Sequence, residues 1–177
     1  MSVPRQTLSG DVDIDQSLGR IAEQLRPLLP RDPTLIGIHT GGVWIARRLQ
    51  DLLQLREPIG TLDISFYRDD FTRIGMNPEV KASDLPTNID DRHVILIDDV
   101  LHTGRTIRAA LNEIFDYGRP ASVTLAVLVD RNDRELPIQA NVVGETINLK
   151  QNQHVKLTCD SPTGDGKLEL KIQEVNG

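Results

Sequence analysis

The sequence predicts an α/β fold in which a central, mainly parallel sheet is flanked by helices. Two strand–turn–helix units carry this prediction. An apolar run at residues 34–40 precedes a helical pattern from Val43, and a second run at residues 94–97 precedes one from Thr106. Unbroken apolar runs bounded by turn residues are typical of strands buried on both faces. Strands that alternate with helices form right-handed crossovers, which favour parallel strands with helices on both faces of the sheet.

Composition predicts one domain over residues 1–177 and excludes several classes of protein. The chain is 38% apolar but only 3% aromatic, so the core is built mainly from Leu, Ile and Val. Cys159 is the one cysteine, which rules out an intrachain disulfide framework. The sequence lacks an apolar run of membrane-spanning length and a signal segment, so we expect a cytoplasmic protein without a membrane partner. A net charge of −6 argues against general nucleic-acid affinity.

Helical periodicity predicts three amphipathic helices. The first follows Asp11 or Asp13 as N-cap and bends or ends at Pro27. The third is closed by Gly118. The residues expected to face inward are Ile14, Leu18, Ile21, Ala22, Leu25 and Leu28 in the first helix, Ala46, Leu49, Leu52 and Leu53 in the second, and Ile107, Ala110, Leu111, Ile114 and Phe115 in the third.

The remaining strands and one long loop complete the expected fold. Strands are predicted at residues 59–66, 121–129, 155–159 and 168–175, with a hairpin turn at residues 163–166 between the last two. Residues 69–86 are polar and aperiodic, and a loop this long inside a domain is typical of a flexible lid. The stretch 137–177 is expected to form a small C-terminal β hood.

The most informative stretch is residues 94–106, which read VILIDDVLHTGRT. Asp98 and Asp99 end an apolar strand, at the sheet edge where open α/β sheets bind ligands. Adjacent carboxylates can accept hydrogen bonds from vicinal ribose hydroxyls, and they can help to hold a hard cation such as Mg²⁺. The following Thr–Gly–Arg–Thr turn opens a helix, whose N-terminal N–H groups suit a phosphate. A buried strand with a solvated acidic turn is the alternative.

A second turn, Gly41-Gly42, also lies between a strand and a helix. This arrangement is typical of phosphate cradles, although a glycine pair alone is weak evidence, and a tight turn without a ligand is the alternative.

These motifs resemble the signature of type I phosphoribosyltransferases, which bind 5-phosphoribosyl-1-pyrophosphate (PRPP). Together with DISFYRDD at 63–70, GRTIRAA at 104–110, LAVLVDR at 125–131 and RELPI at 134–138, they resemble the PyrR family. Members of that family are pyrimidine operon attenuators with uracil phosphoribosyltransferase activity. The resemblance covers roughly residues 10–145 and implies the type I phosphoribosyltransferase fold, with its lid and hood.

The resemblance implies a reaction of uracil with PRPP that gives UMP and diphosphate, with Mg²⁺ as cofactor. It places catalysis at Asp98, Asp99 and His102, and Mg²⁺ at Asp98 and Asp99. His102 can act as a proton acceptor, stack on the base or face solvent. Arg68 contacts pyrophosphate or forms a surface ion pair. The implied PRPP-binding residues are Thr40, Gly41, Gly42, Arg68, Asp98, Asp99, Val100, Leu101, His102, Thr103, Gly104, Arg105 and Thr106, and the implied base-binding residues are Val129, Asp130, Arg131 and Asp133.

Several positions depart from the family pattern. Gly41 replaces an arginine of many relatives, in a turn that often contains a cis peptide bond. His102 replaces a tyrosine, and Asp133 a histidine. Gln139 and Glu145 stand where relatives have basic residues, so an RNA hairpin as partner is expected to bind weakly. The alternatives are therefore a catalytically weak, nucleotide-sensing RNA-binding regulator, or a phosphoribosyltransferase for another base. Relatives also imply a homodimer or larger homo-oligomer.

Overall fold

The fold is a five-stranded parallel sheet with helices on both faces. The computed structural model describes residues 12–64, 83–85 and 88–175. Neighbouring strands follow the order β2–β1–β3–β4–β5, and every pair in this sheet is parallel. The predicted central parallel sheet is therefore confirmed. The strands are β1 (Thr34–Ile38), β2 (Gly60–Leu62), β3 (His93–Leu101), β4 (Ser122–Asp130) and β5 (Val142–Thr146).

In the described part of the chain, three α-helices cover the sheet, namely α1 (Ile14–Leu25), α2 (Gly41–Leu52) and α3 (Arg105–Tyr117). Of the two predicted candidates it is Asp13 that caps α1, because its carboxylate accepts the N–H of Gln16 at 3.1 Å. A 3₁₀ helix (Arg26–Arg31) containing Pro27 follows directly, so α1 ends before the proline.

Alternating side chains of β3 build two separate cores. Ile95 and Ile97 belong to the cluster that includes residues of α1 and α2. Val94 and Leu96 belong to the cluster that includes residues of α3. Successive side chains of a strand point to opposite faces, so an unbroken apolar run is the pattern that a sheet covered on both faces requires.

The inward faces of two helices were predicted too broadly. Leu52 is 45% exposed and Phe115 is 56% exposed, so both predictions are wrong. Each residue lies in the last turn of its helix, at the edge of the buried stripe, where the 100° rotation per residue carries the side chain away from the sheet.

The C-terminal part forms an antiparallel hairpin of β6 (Gln153–Cys159) and β7 (Leu168–Glu174), as predicted. The expected hood at 137–177 was too wide, because β5 joins the main sheet beside β4. Arg48 of α2 anchors the hairpin turn, since its guanidinium donates to the carbonyls of Gly164 and Gly166. Cys159, the last residue of β6, is partly exposed.

The predicted lid at 69–86 and Arg68 lie mostly outside the described residues. The described stretch 83–85 returns to the edge of the sheet, where Thr61 and Asp84 exchange two backbone hydrogen bonds of 2.8 and 2.9 Å. Among the described helices, none is both long and apolar enough to span a membrane.

Candidate functional site

The carboxyl end of β3 carries the two adjacent acids. Asp98 is 5% exposed, whereas Asp99 is half-buried. The N–H of Asp99 donates to the Asp98 carboxylate at 2.9 Å, and the N–H of Val100 donates to the Asp99 carboxylate at 2.8 Å. The backbone therefore fixes the orientation of both carboxylates at the predicted edge of the sheet.

The glycine turn (residues 40–42) packs directly on this acid pair. A Cβ atom at Gly41 would overlap the Asp99 carboxylate. A Cβ atom at Gly42 would lie 2.5 Å from the carbonyl oxygen of Ile97 and 3.1 Å from Cα of Asp98. Only glycine permits this approach, so the turn and the acids form one site.

The same glycine turn opens α2. The peptide bond between His39 and Thr40 is cis, as the family resemblance implied for this turn. Helix α2 begins at Gly41, and the side chain of Thr40 makes no capping hydrogen bond. The first N–H groups of a helix have no partner within the helix, and they carry the positive end of its dipole. The N-terminus of α2 therefore provides an anion-binding position beside the acids.

The acidic turn (residues 98–106) leads into α3. Gly104 has the left-handed conformation, with φ of 95°, and a Cβ atom there would lie 3.2 Å from Cβ of Ile138. The N–H of Arg105 donates to the hydroxyl of Thr103 at 3.2 Å. Helix α3 starts at Arg105 without a side-chain cap. A second helix N-terminus therefore opens at the same sheet edge as the first.

The charged loop (residues 130–138) follows β4 and packs against the acidic turn. The N–H of Arg131 donates to the carbonyl of Leu101 at 3.1 Å. The N–H groups of Glu135 and Leu136 both donate to the carbonyl of Thr103, at 3.0 and 3.1 Å. These bonds attach the charged loop to the acidic turn and show which side of the turn it covers.

Arg134 joins the charged loop to the acidic turn through its side chain. Its Nη1 donates to the carbonyl of His102 at 3.0 Å, its Nη2 to the Asp130 carboxylate at 2.7 Å, and its Nε to the carbonyl of Ile138 at 2.7 Å. Arg134 was not among the predicted site residues. Its spacing of four residues from Asp130 was the one sequence signal available.

Asp130 has a defined structural role within this loop. Its side chain is buried, and its carboxylate accepts the N–H of Asn132 at 2.9 Å as well as the bond from Arg134. Asn132 and Asp133 both have positive φ, 62° and 58°. Asn and Asp tolerate this left-handed region better than most residues, which explains their fit to this turn. The side chain of Asp133 is exposed.

Burial affects two titratable side chains of the site, Arg131 and His102. Arg131 is 6% exposed, its Nη2 donates to the carbonyl of Gln153 at 3.3 Å, and its buried Nε has no hydrogen-bond partner in the structure. Burial lowers the pKa of His102 below 6.5, and the charge of Arg131 lowers it further, although Asp133 and Glu135 oppose this. The imidazole of His102 is therefore mainly neutral at pH 7, and the neutral form is the one that can accept a proton.

The structure brings most of the predicted site residues to one edge of the sheet. This edge holds the glycine turn, the acidic turn and the carboxyl end of β4 with Val129, Asp130 and Arg131. Arg68 lies outside the described residues. Within the described ranges, there is no group of three or more His, Cys, Asp or Glu side chains that could hold a metal ion by itself.

Comparison with known proteins agrees with this geometry. The family model described as "Phosphoribosyl transferase domain" matches residues 13–162. A "Bifunctional protein PyrR" of Nitrosococcus oceani is 58% identical over 159 residues, which cover 89% of this chain and 85% of the relative. The protein of the same name from Pseudomonas aeruginosa is 56% identical, with coverage of 88% and 92%.

Solved structures support the fold. A purine phosphoribosyltransferase from Pyrococcus horikoshii has a TM-score of 0.60 at 22% identity, covering 76% of this chain and 83% of that one. A hypoxanthine-guanine phosphoribosyltransferase from Bacillus anthracis has a TM-score of 0.61 at 21% identity, covering 82% and 86%. Together with the matched motifs, these findings show that the chain has the type I phosphoribosyltransferase fold and belongs to the family of bifunctional PyrR proteins.

Proposed function

We propose that the chain transfers the 5-phosphoribosyl group of PRPP to N1 of uracil, which gives UMP and diphosphate. One observation carries this proposal, namely that two helix N-termini open beside the Asp98–Asp99 pair at the end of β3. PRPP has two phosphorylated positions separated by a ribose diol. Two helix N-termini at the same sheet edge as a carboxylate pair match that arrangement.

Each part of PRPP has a corresponding group in the site. The 5′-phosphate binds the N–H groups and hydroxyls of Thr103, Gly104, Arg105 and Thr106. The pyrophosphate binds the glycine turn and Arg68, and the ribose hydroxyls bind the carboxylates of Asp98 and Asp99. The assignment of the pyrophosphate to the glycine turn is supported by the closeness of the turn to Asp99, because a side chain at Gly41 would occupy the position of that carboxylate.

We infer that Mg²⁺ accompanies PRPP instead of occupying a site made only of protein ligands. The donor set fits this inference, because Asp98 and Asp99 are two hard oxygen ligands in contact with the proposed pyrophosphate turn. Mg²⁺ commonly takes one or two carboxylates and completes its shell with phosphate and water. Bound there, the ion would neutralise charge on the pyrophosphate.

The proposed reaction is mainly positional and electrostatic. The bond between the anomeric carbon and the pyrophosphate oxygen breaks, and its electron pair leaves with pyrophosphate. Positive charge then grows on the ribose, where the fixed carboxylates of Asp98 and Asp99 stabilise it without reorganising. Uracil N1 forms the new bond to the anomeric carbon, and its proton passes to the neutral imidazole of His102.

In this proposal the base lies at the sheet edge where the acidic turn and the charged loop meet. Backbone groups of Val129 and Asp130 line that edge, together with Arg131 and Asp133. Support comes from the hydrogen bonds that attach the charged loop to Leu101, His102 and Thr103, since these hold the two segments in a fixed relative position. The buried guanidinium of Arg131 places a positive charge close to His102.

Uracil-dependent release of diphosphate from PRPP tests the base assignment directly. We expect turnover with uracil and much weaker turnover with hypoxanthine, guanine and orotate, when each is supplied with PRPP and Mg²⁺. A site that hydrogen-bonds a particular base rejects analogues that leave its polar groups unpaired. Turnover with hypoxanthine alone would show that the chain is a phosphoribosyltransferase for another base.

The pH dependence of turnover tests the proton acceptor. Because burial lowers the pKa of His102 below 6.5, kcat/KM for uracil should be nearly level from about pH 7 to 8 and fall below about pH 6.5, as the imidazole becomes protonated. The phosphates of PRPP also titrate near pH 6, so the profile of His102→Tyr serves as the control. If His102→Tyr keeps the same fall at low pH, His102 is not the acceptor.

Regulation of pyrimidine genes accompanies the enzyme activity in this proposal, with UMP as the signal and an RNA hairpin as the partner. Two arginines are already engaged within the protein, which makes the local charge less favourable for binding RNA. Arg20 forms an ion pair with Glu145 and donates to the carbonyl of Gly144, and Arg131 is buried. RNA affinity is expected to fall steeply with salt. Equal binding with and without UMP would contradict this part of the proposal.

Assembly as a homodimer or larger oligomer stays a prediction.

A further inference from the structure

Three consecutive carbonyl groups of the acidic turn face the charged loop. The carbonyls of Leu101, His102 and Thr103 accept hydrogen bonds from that loop, at 3.1 Å, 3.0 Å and 3.0 to 3.1 Å, respectively. The one cis peptide bond among the described residues lies elsewhere, between His39 and Thr40. In a trans peptide, the carbonyl and the N–H of the next residue point in opposite directions. The N–H groups of His102, Thr103 and Gly104 therefore point away from the charged loop.

This orientation determines which ligand the turn can accept. With their carbonyls held on the charged-loop side, the three N–H groups are presented on the opposite side of the turn, just before the N-terminus of α3. Such a set of donors attracts a phosphate, whereas a flipped peptide would present a carbonyl oxygen and repel it. The charged loop therefore determines that the turn presents N–H groups, and not carbonyl oxygens, to a bound phosphate.

Arg134 supplies the side-chain bond in this set, on the middle carbonyl. Its guanidinium bonds in three directions, to His102 of the acidic turn, to the Asp130 carboxylate, and to the carbonyl of Ile138 at the end of its own loop. The Asp130–Arg134 pair is largely shielded, with side chains 12% and 22% exposed. A planar fork suits three divergent acceptors, whereas a lysine ammonium is a single point charge.

We propose that Arg134 is a positioning residue of the phosphoribosyl transfer reaction. It holds the peptide between His102 and Thr103 with its N–H toward the 5′-phosphate, and it fixes the distance between the phosphate turn and the base-side loop. The inference rests on the proposed function for the identity of the ligand. Its geometric part, the fixed direction of the peptide groups, concerns the protein without ligand.

Amide hydrogen exchange of the ligand-free protein tests the geometric part. In Arg134→Gln, the amides of Arg131, Glu135 and Leu136 should exchange at least about tenfold faster, because the side-chain bond that holds their acceptors is lost. Amides of Ile95 and Ile97 in β3 should be unchanged. Arg26→Gln is the matched control, since Arg26 pairs only with the exposed Glu23 in the described structure. Unchanged exchange at the three loop amides, or an equal rise in β3, would overturn the proposal.

Calorimetric titration with UMP tests the functional part. Arg134→Gln should bind UMP at least about tenfold more weakly than the wild type, with Arg134→Lys between them and Arg26→Gln within twofold of the wild type. If Arg134→Gln melts at a lower temperature yet binds UMP within twofold of the wild type, Arg134 only stabilises the fold, and the positioning role is wrong. If the wild type itself fails to bind UMP, the proposed function fails, whereas the exchange experiment still decides whether Arg134 orients the turn.

Discussion

Asp99→Asn and Asp98→Asn are each expected to lower kcat/KM for PRPP about 10²- to 10³-fold, the loss typical of removing one preorganised group that stabilises transition-state charge. The amide keeps an oxygen that can accept the neighbouring N–H, at 2.9 Å for Asp98 and 2.8 Å for Asp99, so the turn should keep its shape while the negative charge is lost. Steady-state kinetics with uracil, PRPP and Mg²⁺ measure the effect.

Asp116→Asn is the control for this pair of variants, because Asp116 is an exposed carboxylate on α3. It should retain the activity of the wild type. Melting temperatures of all three variants separate lost charge from lost fold. If both site variants stay within fivefold of the wild type while folded, the acid pair does not stabilise the transition state, and the proposed mechanism is wrong.

Gly42→Ala is expected to damage both stability and turnover. The added methyl would lie 2.5 Å from the carbonyl oxygen of Ile97, which is backbone and cannot rotate away, so the glycine turn must move off β3. Overpacking of this kind costs roughly 1–3 kcal/mol in the free energy of unfolding. Displacing a substrate-binding turn by about 1 Å can cost about 10²-fold in rate, so kcat/KM for PRPP should fall by that order.

Gly19→Ala gives the opposite expectation and serves as the matched control. Gly19 lies inside α1, and a Cβ atom there would meet nothing within 4 Å. Alanine should therefore raise the free energy of unfolding by roughly 0.5–1 kcal/mol, since glycine is unfavourable within a helix. Turnover should be unchanged. Equal stability changes in the two variants, measured by urea unfolding, would show that the contact of Gly42 with β3 is not tight.

The acid pair illustrates what could be predicted without coordinates. Four apolar residues identify a buried strand, because a doubly covered strand needs apolar side chains on both faces. The two acids were predicted to end this strand, but β3 continues past them to Leu101. Asp13 as one of two candidate helix caps was also predictable, since capping depends on local backbone geometry. Gly118 ends α3 as predicted, but its φ of 171° is extended, and a Cβ atom there would lie 2.7 Å from the Asp90 carboxylate. The buried strand and the cap are each decided by a few neighbouring residues.

Leu52, Phe115 and β5 show where prediction failed. Leu52 and Phe115 lie at the edge of a buried stripe, where only the position of the neighbouring element decides exposure. Strand β5 lies in the main sheet because Val142 and Val143 pair with Ala126 and Val127. A short strand offers too little pattern to choose between two sheets, so that choice depends on contacts between residues far apart in the chain.

The sequence by itself determined the parallel α/β fold, the two glycine-containing turns and the Asp98–Asp99 pair, because local apolar patterns and backbone preferences specify them. Only the tertiary structure decided that the glycine turn packs on Asp99, and that Arg134 holds the carbonyl of His102. The physical reason is that both contacts join backbone to groups distant in the sequence. A main-chain carbonyl is the same at every residue, so the sequence carries no mark of which one a distant side chain will bind.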